Sequence, residues 1–165
     1  GTLCHALLQY LPDVPPGDRF AAASRFMDHT GRALEPQRRA EIIRQSMHVI
    51  DDPRLAPIFG PDSRAEIAIA GRVQLPSGRE VEIAGRIDRL GQTPDKVLIA
   101  DFKTGIPFAT TGTSRQYLTQ MALYRAALAP LFPGKPVQAM IVWTAGPEID
   151  ELSPASLEAA LAALA

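Results

Sequence analysis

The sequence predicts an α+β fold, and three observations carry that expectation. Apolar residues recur at helical spacing through about the first sixty positions, alternating and β-branched runs take over at Arg64, and the chain closes with a helical, a strand-like and a second helical segment. Leu3, Leu7, Leu8 and Leu11 mark a first helix, which Pro12, Pro15 and Pro16 stop. Asp18 to Met27 reads as a second, with Phe20, Ala23 and Met27 on one side. A third runs from about Pro36, a residue suited to the first helical turn, to Ile50, along a stripe of Ile42, Ile43, Met47 and Ile50. The Pro-rich segment Asp52 to Asp62 is expected to be a connector.

From Arg64 the pattern predicts three strands, Ala65–Val73, Glu80–Leu90 and Lys96–Lys103, in an antiparallel meander. Pro76-Ser77-Gly78 and Gly91–Asp95 are the turns between them. Ser114 to Leu131 is helical again and ends at Pro133-Gly134. Val137 to Thr144 has the unbroken apolar look of a buried strand, and Ser153 with Pro154 opens a last helix. The predicted order is helices, three strands, helix, strand, helix, in one domain with no repeat and no long linker.

Composition narrows the function. The 165 residues are 46% hydrophobic and 21% charged, enough chain for one buried core. A single cysteine, Cys4, excludes an internal disulfide, a four-cysteine zinc site and a self-contained iron–sulfur cluster. No apolar run is long enough for a membrane span, and the start lacks a signal pattern, so neither membrane nor export is expected. The chain opens Gly-Thr-Leu without methionine, and we expect it to be part of a longer protein. Pro133-Gly134-Lys135-Pro136 lacks the spacing of a phosphate loop, so no ATP motor is read here. Seventeen Lys and Arg against eighteen Asp and Glu give a net charge of -1, which advertises no global field for nucleic acid. Distribution matters more than the sum: Asp101 to Lys135 is mildly basic, and the segment after Pro136 carries four acids and no Lys or Arg.

The chemistry concentrates in a few places. On a strand, Asp101 and Lys103 share a face, preceded on it by Val97 and Ile99. Asp88 lies late on the preceding strand. Two carboxylates converging near one lysine form a hard-oxygen site for Mg²⁺ or Mn²⁺, or else a cross-strand ladder of salt bridges with Arg89. A tight hairpin centred near Gln92 and Thr93 would leave Asp88 and Asp101 about 10 Å out of step, so a site there requires a bent or bulged strand. Gln120 and Tyr124, four apart on a helix, share a face, as helix flank or as substrate contacts. His5 fits a partly buried histidine, His29 and His48 read as surface residues, and Trp143 reads as core. Arg89, Arg115 and Arg125 are candidates for holding phosphates, or plain solvated charges.

Taken together, GRIDRL at 85–90, IADFKTG at 99–105 and QMALYRAAL at 120–128 resemble the RecB-type branch of the PD-(D/E)XK nuclease superfamily. In that branch the first acidic motif is Gly-x-x-Asp, the second is Asp-x-Lys, and a Gln-x-x-x-Tyr helix follows. The opening helix around His5 is similar to that branch's histidine motif. The resemblance spans the chain and is strongest toward the C-terminal nuclease domain of the AddA subunit of bacterial helicase–nucleases. It implies a PD-(D/E)XK core from about 64 to 165 behind a helical part to about 60. It also implies Mg²⁺ (or Mn²⁺ in its place) held by His5, Asp88, Asp101 and the backbone carbonyl of Phe102, with Lys103 as catalytic lysine and Gln120 and Tyr124 as the helix pair. Glu66 matches a frequent acidic position on the first strand. The implied activity is exonucleolytic hydrolysis of DNA, single strands above all, in double-strand-break repair. The implied partners are the helicase portion of the parent chain and a second nuclease subunit, in the bacterial cytoplasm at the nucleoid. The alternative is a catalytically weak or inactive nuclease fold that binds DNA or docks a subunit.

Overall fold

A computed structural model describes residues 1–105, 113–146 and 148–164. Three helices come first: α1 (Thr2–Tyr10), α2 (Arg19–Thr30) and α3 (Pro36–Ile50). The strands β1 (Arg64–Gln74), β2 (Glu80–Gln92) and β3 (Val97–Lys103) follow, then α4 (Arg115–Leu128), β4 (Val137–Trp143), β5 (Glu148–Leu152) and α5 (Pro154–Ala162). Capping follows the sequence: Pro36 sits in the first turn of α3, Ser114 accepts from Tyr117 N, and Ser153 accepts from Ser156 N. Among the described residues no helix is long and apolar enough to cross a membrane.

The five strands form one mixed sheet in the order β1-β2-β3-β4-β5. β1, β2 and β3 are the expected antiparallel meander, and α4 carries the chain across so that β4 lies parallel to β3. β3 and β4 are buried on both faces, which is why each reads as an unbroken apolar run. Leu98, Ala100, Phe102, Met140 and Val142 pack with α1–α3 on one face. Val97, Ile99, Ala139 and Ile141 pack with Met121, Leu128 and Leu157 of α4 and α5 on the other.

Three departures from the sequence reading have physical causes. β5 was not expected: three of its five residues are acidic, and an edge strand with one wet face lacks the apolar run of an interior strand. The Asp52–Asp62 connector contains a 3₁₀ segment, Pro53–Phe59, that buries Leu55 and Ile58. Gly91 lies inside β2 rather than in the turn, because that segment passes so close that a Cβ at 91 would meet Pro57 O at 2.8 Å. The hairpin therefore turns through Thr93–Lys96, and β2 pairs Arg89 with Ala100 and Leu90 with Ile99. Continued one step, that register sets Asp88 opposite Asp101, which removes the offset expected of a tighter turn.

Candidate active site

Asp101 and Lys103 stand at the C-terminal end of β3, on the α4 face that Val97 and Ile99 fill lower down. Asp101 is buried, and Lys103 Nζ lies 2.6 Å from its Oδ2. That oxygen is shielded from water, so the ammonium is what offsets the cost of burying it. Gln120 Nε2 donates to Asp101 Oδ1 at 3.3 Å. The Lys103 ammonium also sits 4.3 Å from the ring centroid of Tyr117, whose ring lies 6.1 Å from that of Trp143.

Across from this pair, Asp88 Oδ2 accepts the Phe102 N–H at 2.7 Å and lies 3.6 Å from His5 Nδ1. Burial pushes the Asp88 carboxyl above its ordinary pKa; the Phe102 N–H opposes this, the Asp101 charge adds to it, His5 opposes and Glu66 adds. Glu66 is the β1 residue facing Asp88, between the pairs Ala65–Arg89 and Ile67–Ile87. Its φ of 54° is the left-handed backbone, which costs a non-glycine residue roughly 1–2 kcal/mol. Ile87 and Leu90, three apart, both pack on the α4 side, whereas a regular strand would place them on opposite faces. The strand irregularity thus sits at Asp88 and Glu66, between β1 and β2, and it is not what brings Asp88 level with Asp101, since the β2–β3 register already does that. It brings ligand atoms of His5, Glu66 and Asp88, from α1, β1 and β2, within 4.8 Å of one another.

The helix pair is tied in as well. Tyr124 Oη accepts from Arg86 N at 3.3 Å and from Gln120 Nε2 at 3.4 Å. A Cβ at Gly85 would come within 2.1 Å of that oxygen, so the first residue of Gly-x-x-Asp is glycine to admit the tyrosine. A chain of contacts runs from β2 through Tyr124 and Gln120 to Asp101.

The sequence-derived residues therefore gather, with differences. His5, Asp88 and the main chain of Phe102 meet as expected. Asp101 stands beside the three-residue group rather than in it, with its oxygens against Lys103 and Gln120, while Glu66 lies within it. Arg89 lies apart from this group. It is buried, donates to Ser63 Oγ at 2.6 Å and Gln9 O at 3.4 Å, and stacks over Phe59, so it braces α1 against the sheet rather than standing as a solvated charge. Arg125 donates to Val137 O, and Val137 pairs with Val97 at the end of the strands opposite Asp101, so it does not line the site either. Arg115 is exposed at the start of α4, with a contact to Ala163 O. Sequence reasoning missed Tyr117 and Arg86. Tyr117 had a signal, since 117, 120 and 124 fall on one helix face; Arg86, in the variable part of a motif, had none.

The sequence matches the PD-(D/E)XK nuclease superfamily over residues 1–162. The chain belongs to that superfamily. No curated protein matches it at a significant level. Among solved structures, a crystal structure of SSO0001 is similar with a TM-score of 0.39 and 11% identity, over 95% of this chain and 71% of that one, too slight a likeness to carry an argument. Membership of the PD-(D/E)XK superfamily points to a nuclease, and its members typically use divalent metals. The donors here fit such an ion: an imidazole and two carboxylates, all half-buried, converge from three elements.

Proposed function

We propose that this PD-(D/E)XK domain is a Mg²⁺-dependent deoxyribonuclease. Its substrate is single-stranded DNA, cut exonucleolytically during double-strand-break repair, with an ATP-driven helicase of the AddA kind delivering the strand. The observation that carries the reading is the juxtaposition of the Asp101–Lys103 pair with the His5–Glu66–Asp88 group at one end of β3. His5, Asp88 and Glu66 would hold the metal, with Asp101 and the Phe102 main chain beside it. A divalent cation in such a site stabilises charge on the transferred phosphate and lowers the pKa of a bound water. Lys103, held between Asp101 and the face of Tyr117, presents its ammonium where an attacking oxygen or the phosphate charge needs it. Gln120 orients Asp101, and Tyr124 locks Gln120 to β2. The helicase portion and a second nuclease subunit are the proposed partners, and the bacterial cytoplasm, at the nucleoid, the proposed location.

A metal-titrated cleavage assay on end-labelled single-stranded DNA, wild type beside Lys103→Ala, tests this. We expect Mg²⁺-dependent release of short products by the wild type and loss of cleavage in the variant, whose retained fold is checked by circular dichroism because Asp101 loses its buried partner. Equal cleavage by both proteins overturns the assignment.

A further inference from the structure

Arg86 is the second residue of the Gly85–Asp88 motif, and the proposed reaction leaves its side chain without a role. Its backbone N–H is fixed by Tyr124 Oη, so the main chain beneath it is held. The side chain is 64% exposed and reaches across to β1, where Nη1 lies 3.2 Å from Glu66 Oε2. Glu66 belongs to the group of candidate metal ligands and occupies the strained position in β1. One carboxylate thus has two claims on it: a guanidinium in the structure as it stands, and any cation that enters the group.

The competition has a predictable winner. An exposed ion pair of this kind is worth only about a factor of 1.4 to 5 in equilibrium terms. A divalent cation brings twice the charge to closer range. What it would displace is a planar five-donor fork on a flexible arm, at the rim of the same group, with geometry matched to a phosphate. We propose that Arg86 is a phosphate-binding residue of this site, held in reserve by Glu66 and released to the nucleic acid backbone when a divalent cation takes the Glu66 carboxylate. The proposal rests on the nuclease reading above. It makes metal and DNA binding reinforce one another, and by linkage the reinforcement is equal in both directions.

The test is a double-mutant cycle of Glu66→Gln and Arg86→Gln, read by fluorescence anisotropy with a labelled oligothymidine, in EDTA and in Ca²⁺. In EDTA, Glu66→Gln frees Arg86 and binds DNA roughly three- to tenfold tighter than wild type, and most of that gain vanishes when Arg86→Gln is also present. Ca²⁺ raises the affinity of the wild type more than that of Arg86→Gln. Without DNA, calorimetry finds Mn²⁺ binding to Arg86→Gln roughly two- to fivefold tighter than to wild type, because Glu66 is no longer engaged. If Arg86→Gln fails to fold, Arg86→Lys carries the test, with unchanged Mn²⁺ affinity and weaker DNA binding in Ca²⁺. An equal gain from Glu66→Gln in both backgrounds, or unchanged Mn²⁺ affinity in Arg86→Gln, overturns the proposal. A wild type that binds and cuts DNA while the cycle shows no coupling sinks this inference alone. A wild type that neither binds nor cuts DNA in any metal sinks the nuclease reading and the inference together.

Discussion

Gly85→Ala is the sharpest probe of the packing that supports the site. Strand preference alone favours alanine over glycine by about 0.5–1 kcal/mol, so a purely local account predicts stabilisation. The structure predicts the reverse. The added Cβ would lie 2.1 Å from Tyr124 Oη, 2.9 Å from Cζ and 3.1 Å from Cε1, and the buried ring must move. Overpacking costs about 1–3 kcal/mol, and a lost hydrogen bond from Arg86 N about 1 more, for a net loss of roughly 1–3 kcal/mol. For a chain of this size that lowers the melting temperature by about 3–10 °C. Thermal denaturation followed by circular dichroism reads it directly. The same substitution made in a Tyr124→Phe background removes the nearest atom and should cost about 1 kcal/mol less. A Gly85→Ala protein that melts at or above the wild-type temperature, or a cost that ignores the state of residue 124, refutes the reasoning.

Three further outcomes follow from the same geometry. Asp101→Asn should reduce cleavage by at least about 100-fold, since it removes the charge that holds Lys103, and a labelled-substrate assay measures it. Because folding raises the Asp88 pKa, the native state binds the extra proton, and this group's contribution to stability falls as pH rises from the ordinary carboxylate range through the raised value. Asp88→Asn should therefore raise the metal-free melting temperature near pH 7 and leave it little changed near pH 3, with divalent metal stabilising only the wild type. Arg89→Met should cost about 2–3 kcal/mol in urea denaturation, through the lost bonds to Ser63 and Gln9, while leaving DNA affinity and its salt slope unchanged.

Much of this was readable in advance because it depends on local periodicity. The four strands Ala65–Val73, Glu80–Leu90, Lys96–Lys103 and Val137–Thr144 announce themselves by alternation or by an apolar run, and the motif residues fall on the ends those patterns define. β5 hid because an acidic edge strand has the composition of a tail. The turn after β2 was misplaced because Gly91 looks like turn chemistry, and its real reason, the passing backbone of Pro57 and Ile58, lies far away in sequence. Arg89 was misread for a similar cause: a charged residue at an alternating position signals solvent, and only the tertiary pairing with Ser63, Gln9 and Phe59 reveals a buried brace. Membership of Glu66 in the ligand group needed a backbone conformation that no propensity assigns to glutamate.

The acidic border formed by β5 has a bearing on substrate approach. Glu148, Asp150 and Glu151 line one rim of the sheet, and Asp88, Glu66 and Arg86 lie on the strands toward the other. Carboxylates on an edge strand discourage a second chain from pairing there. They repel a phosphate backbone as well, over a screening distance of about 8 Å in physiological salt. A polyanion skirting this domain is thus repelled at the β5 rim, so a chain without net positive charge still presents one edge of its sheet that a phosphate backbone avoids.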